Sequence, residues 1–177
     1  AYDNVDASYE LHPTYNWVDI SAGLGTNLNL ADPGEKTQIT QIYTAVRPLP
    51  FTFRFYGIDY DTITVTASGN IAFGNQHGAD HFRNYPVPAQ SAPRAMIAPY
   101  WDDLRTSQAG QGVWWYNDTA NNRVIIQWKA GCGGSGYSTP LNFQVILYGQ
   151  DLTPTLDGNG RILFQYNDVT MNLSGSF

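Results

Sequence analysis

The sequence predicts an all-β chain: a single domain built as a two-sheet antiparallel β-sandwich of jelly-roll type. Three observations lead there. Apolar and polar residues alternate with a period of two in one segment after another. Aromatics make up 14% of the chain, with 12 Tyr and 5 Trp, a composition that favours strands. Nowhere does a stretch of about ten residues carry the apolar spacing of an amphipathic helix.

Taken in order, residues 1–14 read as an extended N-terminal segment, with Tyr2, Val5, Tyr9 and Leu11 at strand-like density, and residues 15–177 as the sandwich. Weaker strand patterns lie at 15–20, 27–30 and 38–44. In Phe51-Thr52-Phe53-Arg54-Phe55 the aromatics share one face, and Thr62-Ile63-Thr64-Val65-Thr66 repeats the alternation with β-branched residues. Ser68-Gly69-Asn70 makes a tight link into a strand at 70–73. Residues 75–93 lack alternation and carry Pro86, Pro88 and Pro93, a loop long enough to suggest a role of its own. Strands at 96–100 and 113–116 follow, and 117–122 form a polar hairpin tip. The segment 123–129 points Val124, Ile126 and Trp128 inward. Strands at 142–147 and 161–166 complete the core, the latter entered through Asp157-Gly158-Asn159-Gly160, whose residues tolerate positive φ.

Composition narrows the setting. With 9 basic and 15 acidic residues the formal charge is −6, which disfavours nucleic acid and anionic membrane surfaces as partners. Charged residues are only 14% of the chain, so solubility rests on neutral polar side chains, as in many secreted β proteins. No apolar run approaches the roughly 18 residues of a membrane span. The expected localisation is secreted or cell surface.

The richest stretch is Met96-Ile97-Ala98-Pro99-Tyr100-Trp101-Asp102-Asp103-Leu104, an apolar run ending in a Pro-aromatic step and two adjacent carboxylates. Adjacent acids at a strand end need a cation, backbone donors or open water. Asp102 and Asp103 are therefore candidate Ca²⁺ ligands, and Asp157 with Asn159 offers a second oxygen-rich turn. The competing structural reading has Asp102 capping backbone N–H groups while Asp103 faces water. A glycosidase pair is disfavoured, because neighbours on a strand point to opposite faces and a distant partner such as Asp80 or Asp118 would be required. Trp114, Trp115 and Tyr116 form a candidate ligand-binding platform, with core packing as the alternative; in a strand Trp115 points away from the other two. Cys132 is alone among glycines and reads as an inert loop thiol; a nucleophile would need a partner such as His77 or His81. His12, His77 and His81 read as solvated loop residues. Asn117-Asp118-Thr119 and Asn172-Leu173-Ser174 match the N-glycosylation triplet.

Several blocks occur in a recurring order: Leu49-Pro50-Phe51-Thr52-Phe53-Arg54-Phe55-Tyr56-Gly57, Ser68-Gly69-Asn70-Ile71-Ala72-Phe73-Gly74, Ile97-Ala98-Pro99-Tyr100-Trp101-Asp102-Asp103, Gly112-Val113-Trp114-Trp115-Tyr116 and the three late strands. This series resembles a bacterial extracellular β domain appended to secreted peptidases and surface proteins. More distantly it is similar to the nidogen-type extracellular domain. The resemblance implies a non-catalytic accessory, adhesive or structural unit that binds protein or carbohydrate at the cell surface, and it carries no catalytic residues. It also implies at least one strand beyond 161–166: either the sequence is a fragment, or that strand is supplied by another segment or another molecule. The second expectation is accordingly a filament subunit that self-assembles by strand exchange.

Overall fold

The computed structural model describes residues 14–31, 42–76, 92–132, 139–150 and 155–169. His12, His77, His81 and Asp80, most of the 75–93 loop, most of the strand expected at 38–44 and the tail from 170 lie outside the described residues. Nine strands are found among those described: β1 Thr26–Asn27, β2 Thr44–Phe55, β3 Ile58–Thr66, β4 Ile71–Phe73, β5 Met96–Ile97, β6 Gly112–Asp118, β7 Arg123–Cys132, β8 Thr139–Tyr148 and β9 Ile162–Asp168. They form two antiparallel sheets, a five-stranded one in the order β1-β6-β7-β8-β9 and a four-stranded one in the order β2-β3-β4-β5.

The all-β sandwich expectation holds. The detailed connection differs from a jelly roll, which crosses between sheets repeatedly. Here β2–β5 and β6–β9 are two successive meanders, and among the described residues the chain changes sheet only between β1 and β2 and between β5 and β6. Short turns such as Ser68-Gly69-Asn70 and the Thr119–Asn121 helical turn permit this, because each joins strands that pair directly.

The core lies between the sheets. Phe53, Ile63, Val65, Ile71 and Phe73 from one layer meet Val113, Val124, Ile126, Trp128, Phe143 and Val145 from the other. Ring stacking aligns within each layer: Phe53 on Phe73 at 5.1 Å, and Trp128 on Phe143 at 5.1 Å. The Trp128 indole N–H also donates to the Thr66 carbonyl at 2.8 Å, one directional bond linking the two sheets across an otherwise apolar interior.

The alternation in β7 predicts one buried face, yet both are buried. Ile125 on its outer side joins Trp114, Ile146 and Ile20 in a second apolar cluster. What covers that face is not the strand expected at 15–20 but an irregular strap, residues 14–19, ending in a short helical turn at Ile20–Ala22.

The strap is held by a row of amides. Gln127, Gln144 and Gln165 are directly opposite one another on β7, β8 and β9, in the same cross-strand row as Asn27 and Trp114. Gln165 exchanges two hydrogen bonds with the Asn16 main chain, at 2.8 and 3.0 Å. Gln144 donates to the Val18 carbonyl, and Gln127 accepts from the Ile20 N–H at 2.9 Å. Buried glutamines thus satisfy a crossing main chain as a neighbouring strand would.

The expected turn at 157–160 is also present. Gly158 takes φ +73°, Asp157 accepts from the Asn159 N–H at 3.0 Å, and Gly160 sits against the Phe53 ring.

Candidate functional site

Two places concentrate the residues that the sequence singles out. The first is the corner where the Pro99-Tyr100-Trp101-Asp102-Asp103 step folds over the β3–β4 turn. Gly69, at φ +77°, brings its main chain so close to Tyr100 that a Cβ there would lie 1.9 Å from the Tyr100 carbonyl oxygen. The Tyr100 and Asp102 N–H groups donate to the Gly69 and Ser68 carbonyls at 3.4 and 3.2 Å. Leu104 and Trp101 are buried beneath, so the two acids stand on a packed base.

Asp102 Oδ1 accepts from the Asp103 N–H at 2.8 Å, the capping role set out above. Its other oxygen accepts from the Cys132 thiol at 3.6 Å. Asp103 is half-buried, with one carboxylate oxygen enclosed, and does not face water freely. The Tyr100 hydroxyl is pushed up to about 12, first by burial, then by its neighbour Cys132 and the nearby Asp102 carboxylate. Ser68 Oγ and both polar atoms of the Asn70 amide are enclosed without a protein partner. This turn therefore holds hydrogen-bonding capacity that the fold itself does not use.

Cys132 corrects the loop expectation. It is the last residue of β7, pairs with Thr139 and is buried in the main core. Arg105 and Gly131 exchange main-chain hydrogen bonds at 2.9 and 2.8 Å, which carries the strand past its glycine.

Asp157 and Asn159 do not join this corner. Asn159 Oδ1 accepts from the Gly57 N–H at 2.9 Å, and Asn159 itself donates to both oxygens of Asp157. These hydrogen bonds hold the Asp157 carboxyl below its usual range. Gly57 precedes β3 and Ser68 follows it, so the two oxygen clusters sit at opposite ends of a nine-residue strand, on the order of 25 Å apart. Among the described residues no group of three or more His, Cys, Asp or Glu converges as a metal set.

Asp118 has a structural partner. Its carboxylate lies 2.7 Å from Arg123 Nε, directly across the β6–β7 hairpin, and accepts twice from Asn121. Burial alone would raise its pKa, but Arg123 and Asn121 outweigh that and hold it below the ordinary carboxylate value.

The second place is a cleft of about 440 Å³ at the open edge of the sandwich, lined by Thr26, Arg47, Pro48, Leu49, Pro50, Trp115 and Asn117. It exists because β2 bulges: its pairing with β3 breaks between Pro48 and Phe53. Proline has no N–H to give a ladder, so Pro48 and Pro50 fit only an edge strand of this kind. The two prolines are exposed and Leu49 is buried between them. The Trp114-Trp115-Tyr116 triplet divides across β6. Trp114 is buried and Tyr116 packs against the same outer cluster under the strap, whereas Trp115 lies half-buried on the inner side and lines the cleft. Of the cleft residues, sequence reading finds only Trp115 as a ligand contact; the Pro-Leu-Pro interruption of a strand pattern is the signal that could have located the rest.

Among curated proteins and among solved structures, nothing matches the chain. A family model described as NIDO related covers residues 17–176, from the strap through all nine strands, and the chain belongs to that family.

Proposed function

We propose that this protein is a secreted, non-catalytic surface module that binds a glycan or a protein segment in the Trp115 cleft. The observation that carries the reading is the cleft itself. A half-buried indole faces two exposed prolines and a buried leucine, with Arg47 and Asn117 supplying polar groups. An apolar lining with a few fixed polar groups, within the roughly 300–1,000 Å³ typical of ligand sites, suits ring stacking or an extended peptide. Among the described residues, the acids whose pKa is displaced, Asp19, Asp118 and Asp157, are all held low. A general acid needs the opposite displacement, so these groups favour binding over hydrolysis. The family is consistent with an extracellular setting, and among the described residues no helix is long and apolar enough to cross a membrane.

A glycan and cell-surface protein panel tests this with Trp115→Ala. Ligand affinity of Trp115→Ala falls at least tenfold at temperatures where its circular dichroism spectrum matches that of the folded wild type. A panel that binds wild type and Trp115→Ala equally well removes the cleft from the reading.

Calcium belongs to the proposal at the corner alone, supported by the unused oxygens of Ser68 and Asn70 on the turn that meets Asp102. Millimolar Ca²⁺ then raises the melting temperature of wild type and leaves Asp102→Asn unchanged. No shift in wild type excludes it.

A further inference from the structure

We infer that the strap, residues 14–22, is exchangeable, and that its alternative seat is the same amide-lined groove on a second copy of this chain. The inference stands apart from the Trp115 cleft and rests on how the strap is held and joined.

The groove recognises main chain. Gln165, Gln144 and Gln127 engage the peptide groups of Asn16, Val18 and Ile20, and Gln144 also donates to Gln127 at 3.0 Å. Around this row, Val18 and Ile20 enter the cluster of Trp114, Ile125 and Ile146. Asp19 adds a side contact to Gln127 at 3.0 Å, and Lys129 reaches Ser21 at 3.0 Å. A second copy presents the identical segment, so exchange breaks and remakes one set of bonds. The difference between closed and exchanged forms is confined to the hinge and the entropy of association.

The hinge is short and open. Gly23 turns at φ +110°, and the Gly25 N–H closes the bend on the Ile20 carbonyl at 2.7 Å. A Cβ at Gly23 meets nothing within 4 Å, and Leu24 is 56% exposed, so the bend has space to straighten toward a neighbour.

Gly23→Val tests this without touching strap or groove. A β-branched residue is strained at positive φ but content when extended, so the substitution penalises only the closed bend. Relief worth about tenfold per hinge, at two hinges per reciprocal dimer, lowers the dimer Kd about 100-fold. Sedimentation should show a concentration-dependent dimer, and a mixed-label sample should give intermolecular nuclear Overhauser contacts from Val18 and Ile20 to Ile125 and Ile146. A folded Gly23→Val that stays monomeric at millimolar concentration overturns the inference, as does a dimer without those contacts. If Gly23→Val does not fold, wild type refolded from denaturant at millimolar concentration decides in its place. A trapped dimer with the same contacts supports exchange, and recovery of monomer alone refutes it.

Discussion

Gly69→Ala isolates the close approach that builds the corner. Its new methyl would sit 1.9 Å from the Tyr100 carbonyl oxygen and 2.9 Å from Leu104 Cδ1. The carbonyl is main chain and cannot rotate aside, so the 99–104 segment must retreat by about 1 Å or more in a close-packed region. Retreat loosens the bonds from the Tyr100 and Asp102 N–H groups at 3.4 and 3.2 Å, at about 1 kcal/mol each, and disturbs fully buried Leu104. Alanine at positive φ adds about 1–2 kcal/mol. The sum is about 3–5 kcal/mol, or roughly 10 °C or more in melting temperature for a chain of this size. Gly110→Ala provides the control, since Gly110 has φ +80° but open space around it. It should lose only the conformational part, about 4 °C. Differential scanning calorimetry of the pair reads the difference. Equal losses in the two variants would refute the claim that main-chain crowding, and not glycine's φ alone, fixes the corner.

Two further outcomes follow from the amide row and the β6–β7 hairpin. Gln144→Leu leaves the Val18 carbonyl without its donor, at a cost of about 1–3 kcal/mol. Hydrogen exchange at Ile20 should accelerate and Trp114 fluorescence shift red while β7–β8 amides stay protected; uniform acceleration across the sheet would contradict a local strap. Asp118 has its pKa lowered below 3.8 in the folded chain, so its pairing contributes stability that is present above that value and is lost as pH falls through the folded pKa. The stability gap between wild type and Asp118→Asn should be flat near neutrality and close below about pH 4. A gap that widens on acidification would mean the pairing with Arg123 is not what the charge supports.

The layer that faces the core was legible because its alternation is strict. Val124, Ile126 and Trp128 point inward as expected, and Phe53 is fully buried. The outer face was not legible, because a period of two describes one buried side and is silent about a second. Its trace was nonetheless present: Ile126-Gln127-Trp128, Phe143-Gln144-Val145 and Phe164-Gln165-Tyr166 each place a glutamine inside an apolar block. A polar residue repeated within three neighbouring strands marks a place where main chain crosses, although the third, expected to complete the core, leaves Phe164 and Tyr166 exposed. Cys132 was misplaced because its glycine neighbours suggest a loop, while pairing with β8 and with Arg105 extends β7 through them. The cleft was hidden because it depends on two strands in different sheets, a proximity that local pattern does not encode. Asp102 capping, by contrast, followed from the cost of burying adjacent charges and needed no tertiary information.

The glutamine row also guards against wrong pairing. Shifting β8 by one residue against its neighbours would turn Gln144 toward the interior, leaving its amide beside Trp128 and Ile126 with nothing to bond, and push Val145 out of the core. The same holds for β7 with Gln127, whereas on β9 the inward positions Phe164 and Tyr166 are themselves exposed, so a slip there strands no amide in hydrocarbon. In the native alignment all three instead bond the main chain of the strap, so register and strap position are fixed together.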